Sequence, residues 1–299
     1  MNETTPPAAT VTSHPLETAL LIAGLVVAIL LLRAILWRLL RFMRVGWRHG
    51  PAYLRRGVVL VRGDRVERWF EERFPRASRV LTARTDPTVF TGLPLTLMVL
   101  AAVYAAFLFA GLVEEVLESE EIRMADDVLM NYVALWRTEI LVESFTWITA
   151  LGDLETLAAV AFVASAFLWA HGPHRYIAPI WLTVVGSQVT TYFGKFLIAR
   201  PRPDFVLEVT ASSPSFPSGH TTGAMAVYGI IAYAVMRDVA SPRARFDIAF
   251  GTAVLIAMIS FSRIFLSVHF PSDVAAGLLV GLFWLLAGIA LAEARRAHD

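Results

Sequence analysis

The sequence predicts an all-α, polytopic membrane protein, and three observations carry that expectation. Hydrophobic residues fill 57% of its 299 positions and mean hydropathy is +0.60, against roughly 45–50% apolar in soluble domains. The apolar residues gather into seven runs of near-spanning length, where a bilayer needs about 20. The polar stretches between the runs alternate in charge. A net charge of +1 gives no reason to expect a nucleic-acid or acidic macromolecular partner. The chain has no cysteine, which excludes disulfides, thiolate metal sites and cysteine nucleophiles.

Residues 1–15 are polar and proline-bearing and are expected to be disordered. Ala19 to Trp37 reads as a first spanning helix. Its positive charges follow the apolar run, which distinguishes it from a signal peptide and places the N-terminus outside by the positive-inside tendency. Arg33 to Arg84 then holds fourteen arginines against four acids. Val66 to Leu81 within it is expected to form interfacial helices with Trp69, Phe70 and Phe74 toward lipid. Such a segment needs no ligand to set orientation, although anionic lipid headgroups are candidate partners at residues 41–84.

Thr91 to Val113 is the second span. Charge then reverses: Glu114 to Asp153 carries ten acids and only Arg123 and Arg137. Ala125, Val128, Leu129, Tyr132, Val133, Trp136 and Ile140 recur at helical spacing, which predicts an amphipathic helix resting on the outer surface rather than covering a site. The remaining spans are Leu154 to Trp169, Ile177 to Ile198, Thr221 to Met236, Ile248 to Leu266 and Val274 to Ala292. His171 and His174 flank a Gly-Pro turn and read as a solvated cytoplasmic loop. Glycines at four-residue spacing, Gly219 with Gly223 and Gly277 with Gly281, predict close helix packing. The expected layout is a tail and extra transmembrane helix over 1–40, an arginine-rich cytoplasmic segment over 41–90, and a helical domain over 91–299.

Three polar clusters interrupt the apolar sequence, and span parity with charge bias puts all of them on the outer face. The first, Lys195-FLIARP-Arg202-Pro203, contains the one lysine beside twenty-five arginines. A compact ammonium suits a point contact with a phosphate oxygen. Pro201 and Pro203 predict a helix break near Arg200, itself read as a snorkelling or rim cation. In the second, Pro217-Ser218-Gly219-His220, a turn opens into a helix whose free N–H groups can bind an anion. The third, Ser262-Arg263-IFLSV-His269-FPS-Asp273, sets a carboxylate near an imidazole, an arrangement that frees the far ring nitrogen to attack. Ionisable groups at the ends of spans point to function by default.

These three clusters resemble, position for position, the signature of the type 2 phosphatidic acid phosphatase and vanadium haloperoxidase superfamily, in its membrane-bound lipid phosphatase branch. The resemblance covers about Thr91 to Ala292. It implies a six-helix phosphatase core preceded by one extra transmembrane helix, and hydrolysis of a phosphomonoester or diphosphate through a phosphohistidine, with no metal and no cofactor. By that likeness His269 is the nucleophile, Asp273 orients it, and His220 protonates the leaving oxygen. Lys195, Arg202, Arg263, Ser218 and Gly219 hold the phosphoryl oxygens. The expected setting is a bacterial-type inner membrane with the site on its extracytoplasmic face. Undecaprenyl diphosphate is the first-choice lipid substrate, with phosphatidylglycerol phosphate, phosphatidic acid and lipid A phosphate as rivals. Phosphotransfer to another lipid and non-catalytic lipid binding are the competing readings, and oligomeric state is left open.

Overall fold

The computed structural model describes residues 15–49, 69, 71–85, 90–203 and 213–296, and among these every regular element is helical. The N-terminal tail and, within the arginine-rich segment, residues 50–68 (with Val66), Phe70 and 86–89 lie outside the described residues. The chain divides into two compact units, Leu20–Met98 and a bundle built chiefly from Val99–Asp299.

In the first unit, helix α1 runs over Pro15–His49. Its window Thr18–Met43 has a hydropathy of 2.8. At 1.5 Å per residue α1 is about 50 Å long, more than the roughly 30 Å hydrocarbon core requires. Leu20, Val27, Leu31 and Ile35 are all exposed, as expected of a helix whose solvent is lipid. Helix α2 spans Pro75–Thr85 and leaves Val80 and Leu81 exposed. Trp69 meets Phe74 edge-on at 6.3 Å, and both side chains are exposed.

The bundle follows from α3 (Leu93–Glu118), α4 (Glu120–Ala134), α5 (Glu139–Ala150), α6 (Leu154–His171), a 3-10 turn (His174–Tyr176), α7 (Ile177–Ile198), α8 (Gly219–Asp238), α9 (Pro242–Phe265) and α10 (Pro271–Arg296). Each of the seven predicted spans is a helix. By length and hydropathy alone α1, α3, α6, α9 and α10 qualify as membrane-crossing. Helices α7 and α8 are long enough but less apolar: α8 is packed on several sides, and α7 buries Thr183, Ser187 and Thr191 on one face while exposing Val185, Val189 and Phe193 on another. Helix α8 packs against α6, α7, α9 and α10, and its buried positions are mostly small: Thr221, Thr222, Gly223, Ala224, Ala226 and Ala234. Small residues let backbones approach where no hydrophobic force acts between helices in lipid.

The predicted glycine packing is present. A Cβ at Gly277 would lie 2.7 Å from the Ser218 carbonyl, and one at Gly281 would lie 2.6 Å from Met225 Cβ, so α10 packs directly on the backbone of α8. At Gly223 the close neighbour is Leu157 of α6, whereas Gly219 has ordinary room.

The amphipathic helix predicted across Ala125 to Ile140 is two helices. The chain leaves α4 after Ala134 and restarts at Thr138, whose hydroxyl accepts from Leu141 N–H as an N-cap at 3.4 Å. Ser119 caps α4 in the same manner, accepting from Glu121 N–H at 3.2 Å. On α4 the apolar side chains Val128, Leu129 and Tyr132 are exposed, whereas Asp126 and Met130 are buried. The helix thus exposes its apolar stripe and turns a carboxylate into the protein.

Candidate active site

The site forms where α7 ends, α8 begins, α9 ends and α10 begins. Lys195 sits in the last turn of α7, and Ala199 caps that helix in the left-handed region (φ 50°), swinging the chain into Arg200-Pro-Arg-Pro. Ser218 is the N-cap of α8 and is fully buried. Its N–H donates to the Asp273 carbonyl at 3.0 Å, which ties the second cluster to the third. Arg263 closes α9, and a tight turn through Ser267 (φ 55°) then delivers His269. Arg137, between α4 and α5, clamps this turn by donating to the Phe265 carbonyl at 2.8 Å and to the Ser267 hydroxyl.

All eight sequence-predicted residues converge here. Lys195 Nζ donates to Ser213 Oγ at 3.2 Å and to the Pro214 carbonyl at 2.5 Å. Arg202 reaches the same hydroxyl at 3.3 Å, the Ser213 carbonyl at 2.8 Å and the Val268 carbonyl at 2.6 Å. Its Nη1 lies 3.4 Å from His269 Nε2. Asp273 Oδ2 lies 3.4 Å from the other ring nitrogen, Nδ1. That nitrogen is buried and makes no closer hydrogen bond, and such catalytic contacts often tighten only when substrate is bound. His269 is therefore held between a cation at Nε2 and a carboxylate at Nδ1. Arg263 is 4% exposed; its Nη1 donates to Thr149 Oγ1 at 2.6 Å, and its buried Nε has no hydrogen-bond partner.

His269 lies outside the spanning helices yet is 1% exposed. Burial, with Arg263 and Arg202 nearby, lowers its pKa from the ordinary 6.5 to about 3, against an opposing pull from Asp273. The imidazole is thus neutral, the form a nucleophile requires. Burial also lowers the pKa of Arg202. Among the described residues no group of three or more His, Asp or Glu side chains is arranged to hold a metal ion.

Three functional neighbours were missed or misread in the sequence. His220 Nε2 lies 2.7 Å from Asp153 Oδ1, a carboxylate at the N-cap of α6. Nothing in a linear pattern pairs positions 153 and 220. Asp126 carries no site reading in the sequence, being one of ten acids in its segment, but it is 3% exposed and accepts from Arg200 Nη2 at 2.8 Å. Arg200 is no rim residue: it is 9% exposed and also donates to Asp273 Oδ1 at 2.7 Å. The proline break near it occurs as expected, but the left-handed Ala199 turns its side chain inward. Helix α4 accordingly contributes to the site instead of merely resting on the bilayer.

Comparison with known proteins agrees with this geometry. The family model described as PAP2 superfamily matches residues 176–297, a stretch containing all three clusters. Phosphatidylglycerophosphatase B of Bacillus subtilis (strain 168) is 31% identical over 186 residues, covering 61% of this chain and 91% of that protein. Glucose-6-phosphatase 3 of Mus musculus is 28% identical over 162 residues, covering 47% of this chain and 46% of that protein. A crystal structure of a transmembrane PAP2-type phosphatidylglycerolphosphate phosphatase from Bacillus subtilis superimposes with a TM-score of 0.59 at 27% identity, covering 63% of this chain and 94% of the other. An all-helical bundle with one convergent basic and histidine-bearing site, matched over nearly the whole length of such a relative, makes the chain a membrane phosphatase of the PAP2 superfamily.

Proposed function

We propose that the protein removes phosphate from the headgroup of a membrane lipid through a phosphohistidine at His269, at the extracytoplasmic face of a bacterial-type cytoplasmic membrane. The observation that carries this reading is the setting of His269, with Asp273 at Nδ1 and Arg202 beside Nε2. In the first step Nε2 attacks phosphorus and the bond from phosphorus to the leaving oxygen breaks. His220, oriented by Asp153, gives that oxygen a proton. Water then attacks phosphorus as His220 takes its proton, the P–Nε2 bond breaks to return His269 as free imidazole, and inorganic phosphate leaves. Lys195, Arg202, Arg263, the Ser218 hydroxyl and the N–H groups at the start of α8 neutralise and orient the phosphoryl oxygens, the contribution that dominates phosphoryl-transfer catalysis. Three cations supply the charge compensation, so the reaction proceeds without a metal ion.

The sequence favoured undecaprenyl diphosphate. The name of the relative aligned over 91% of its length moves phosphatidylglycerophosphate to first place. The test is phosphate release by the purified full chain in detergent from phosphatidylglycerophosphate, undecaprenyl diphosphate, phosphatidic acid and lipid A phosphate, with and without EDTA. Phosphatidylglycerophosphate should show the highest kcat/KM, unchanged by chelator. Release from none of the four lipids, or loss in EDTA restored by added metal, would overturn the reading.

A further inference from the structure

We propose that Arg200, clamped by Asp126 of α4, is a positioning residue that sets Asp273 and, through it, His269. The proposal rests on the reading of His269 as the nucleophile and extends the catalytic apparatus to Arg200, which the first cluster contains without a site role, and to Asp126, which lies outside the three clusters.

The guanidinium is committed on both sides. Nη2 donates to Asp126 Oδ2 at 2.8 Å. Nη1 donates to Asp273 Oδ1 and to Ser272 Oγ, each at 2.7 Å. Its plane also lies over the Phe270 ring, with Cζ 4.2 Å from the centroid. Asp126 in turn accepts from Ser272 N–H at 3.0 Å and from the Ser272 hydroxyl, fixing the start of α10. Asp273 therefore has one fixed donor on each oxygen: Arg200 on Oδ1, and Phe270 N–H at 2.9 Å on Oδ2. Oδ2 is the oxygen that faces His269 Nδ1. With Oδ1 pinned, the carboxylate cannot rotate Oδ2 away from the imidazole.

Arg200 and Arg202 approach the His269–Asp273 pair from opposite ends. Arg202 stands beside Nε2, where phosphorus must arrive. Arg200 stands behind the carboxylate, its charge matched by Asp126 and Asp273. A guanidinium shared between two buried carboxylates is not available to a phosphate, and removing it would leave both carboxylates buried without their cation. The left-handed Ala199 marks the position as built: an L-residue adopts that strained conformation only where its surroundings enforce it, and here it aims Arg200 inward.

The experiment measures kcat and KM for lipid-phosphate hydrolysis by the full-length protein, with each variant's folded fraction taken from thermal unfolding in the same detergent. Arg200→Gln should lower kcat about 10- to 100-fold, on the scale found when the hydrogen-bond partner behind a metal-bound side chain is removed, and should leave KM within about twofold. Arg200→Lys should recover part of the loss. Asp126→Asn, which retains the arginine, should give a smaller fall of the same kind and carries the test if Arg200→Gln does not fold. In an Asp273→Asn background Arg200→Gln should cost less than about threefold, because a residue acting through Asp273 has nothing left to act on. A raised KM with kcat kept would make Arg200 a phosphate ligand and overturn the proposal. An equal loss in both backgrounds, or a loss tracking only the folded fraction, would also overturn it and would leave the proposed function standing. Full turnover by Asp273→Asn alone would remove both.

Discussion

In the proposed mechanism the His269 imidazole carries the chemistry, and its burial decides its charge. The unfolded chain binds a proton at this residue near pH 6.5, whereas the folded chain resists it until about pH 3. Folded His269 is therefore neutral through the physiological range, the form the proposed attack requires. Between those two values the unfolded state holds more protons at this site, so the residue withdraws stability as pH falls below about 6.5. Histidine-selective NMR, with the signal assigned by its loss in His269→Asn, should show a ring still neutral at pH 5. A midpoint near 6.5 would contradict the burial. At this scale the sequence was legible wherever a residue type was costly in its place: a lone lysine, and histidines at helix ends. Asp126, Asp153 and Arg200 were not, because an acid in an acidic stretch and an arginine ending a span are ordinary until folding buries them.

Helix existence was legible from apolar run length, and helix boundaries less so. The break between α4 and α5 rests on a threonine cap and a four-residue turn that the apolar period runs straight through. Polarity also misleads for α7 and α8, whose serines, threonines and glycines face neighbouring helices. The contact of α10 with α8 is the element that joins two of the clusters, since Gly277 lies against the Ser218 carbonyl, and Ser218 N–H binds Asp273. Gly277→Ala should cost about 1–3 kcal/mol, the usual penalty of overpacking, and should depress turnover by prising the start of α8 from Asp273. Thermal unfolding alongside activity checks this, and a variant of wild-type stability and rate would show that the contact yields.

Across the bundle, the ends of α7 and α9 and the starts of α8 and α10 lie together at the site. The opposite ends carry Arg237, Arg243, Arg295 and Arg296, the basic residues expected on the cytoplasmic side. Glu293 is buried there and paired with Arg237 at 3.0 Å and Arg296 at 3.4 Å. The cysteine-free chain makes sidedness measurable. A cysteine introduced at Glu120 should react with an impermeant reagent in intact cells and one at Ser241 should not; the reverse would move the site to the inner leaflet. The central claim is that His269 carries phosphate during turnover. It is tested most directly by mixing the full-length protein with lipid labelled in the scissile phosphate and quenching in alkali, which preserves a P–N bond that acid would hydrolyse. The account predicts one labelled phosphohistidine, at His269, present in wild type and absent from His269→Ala, which is also without turnover. Full hydrolysis by His269→Ala, or a label on any other residue, would contradict it.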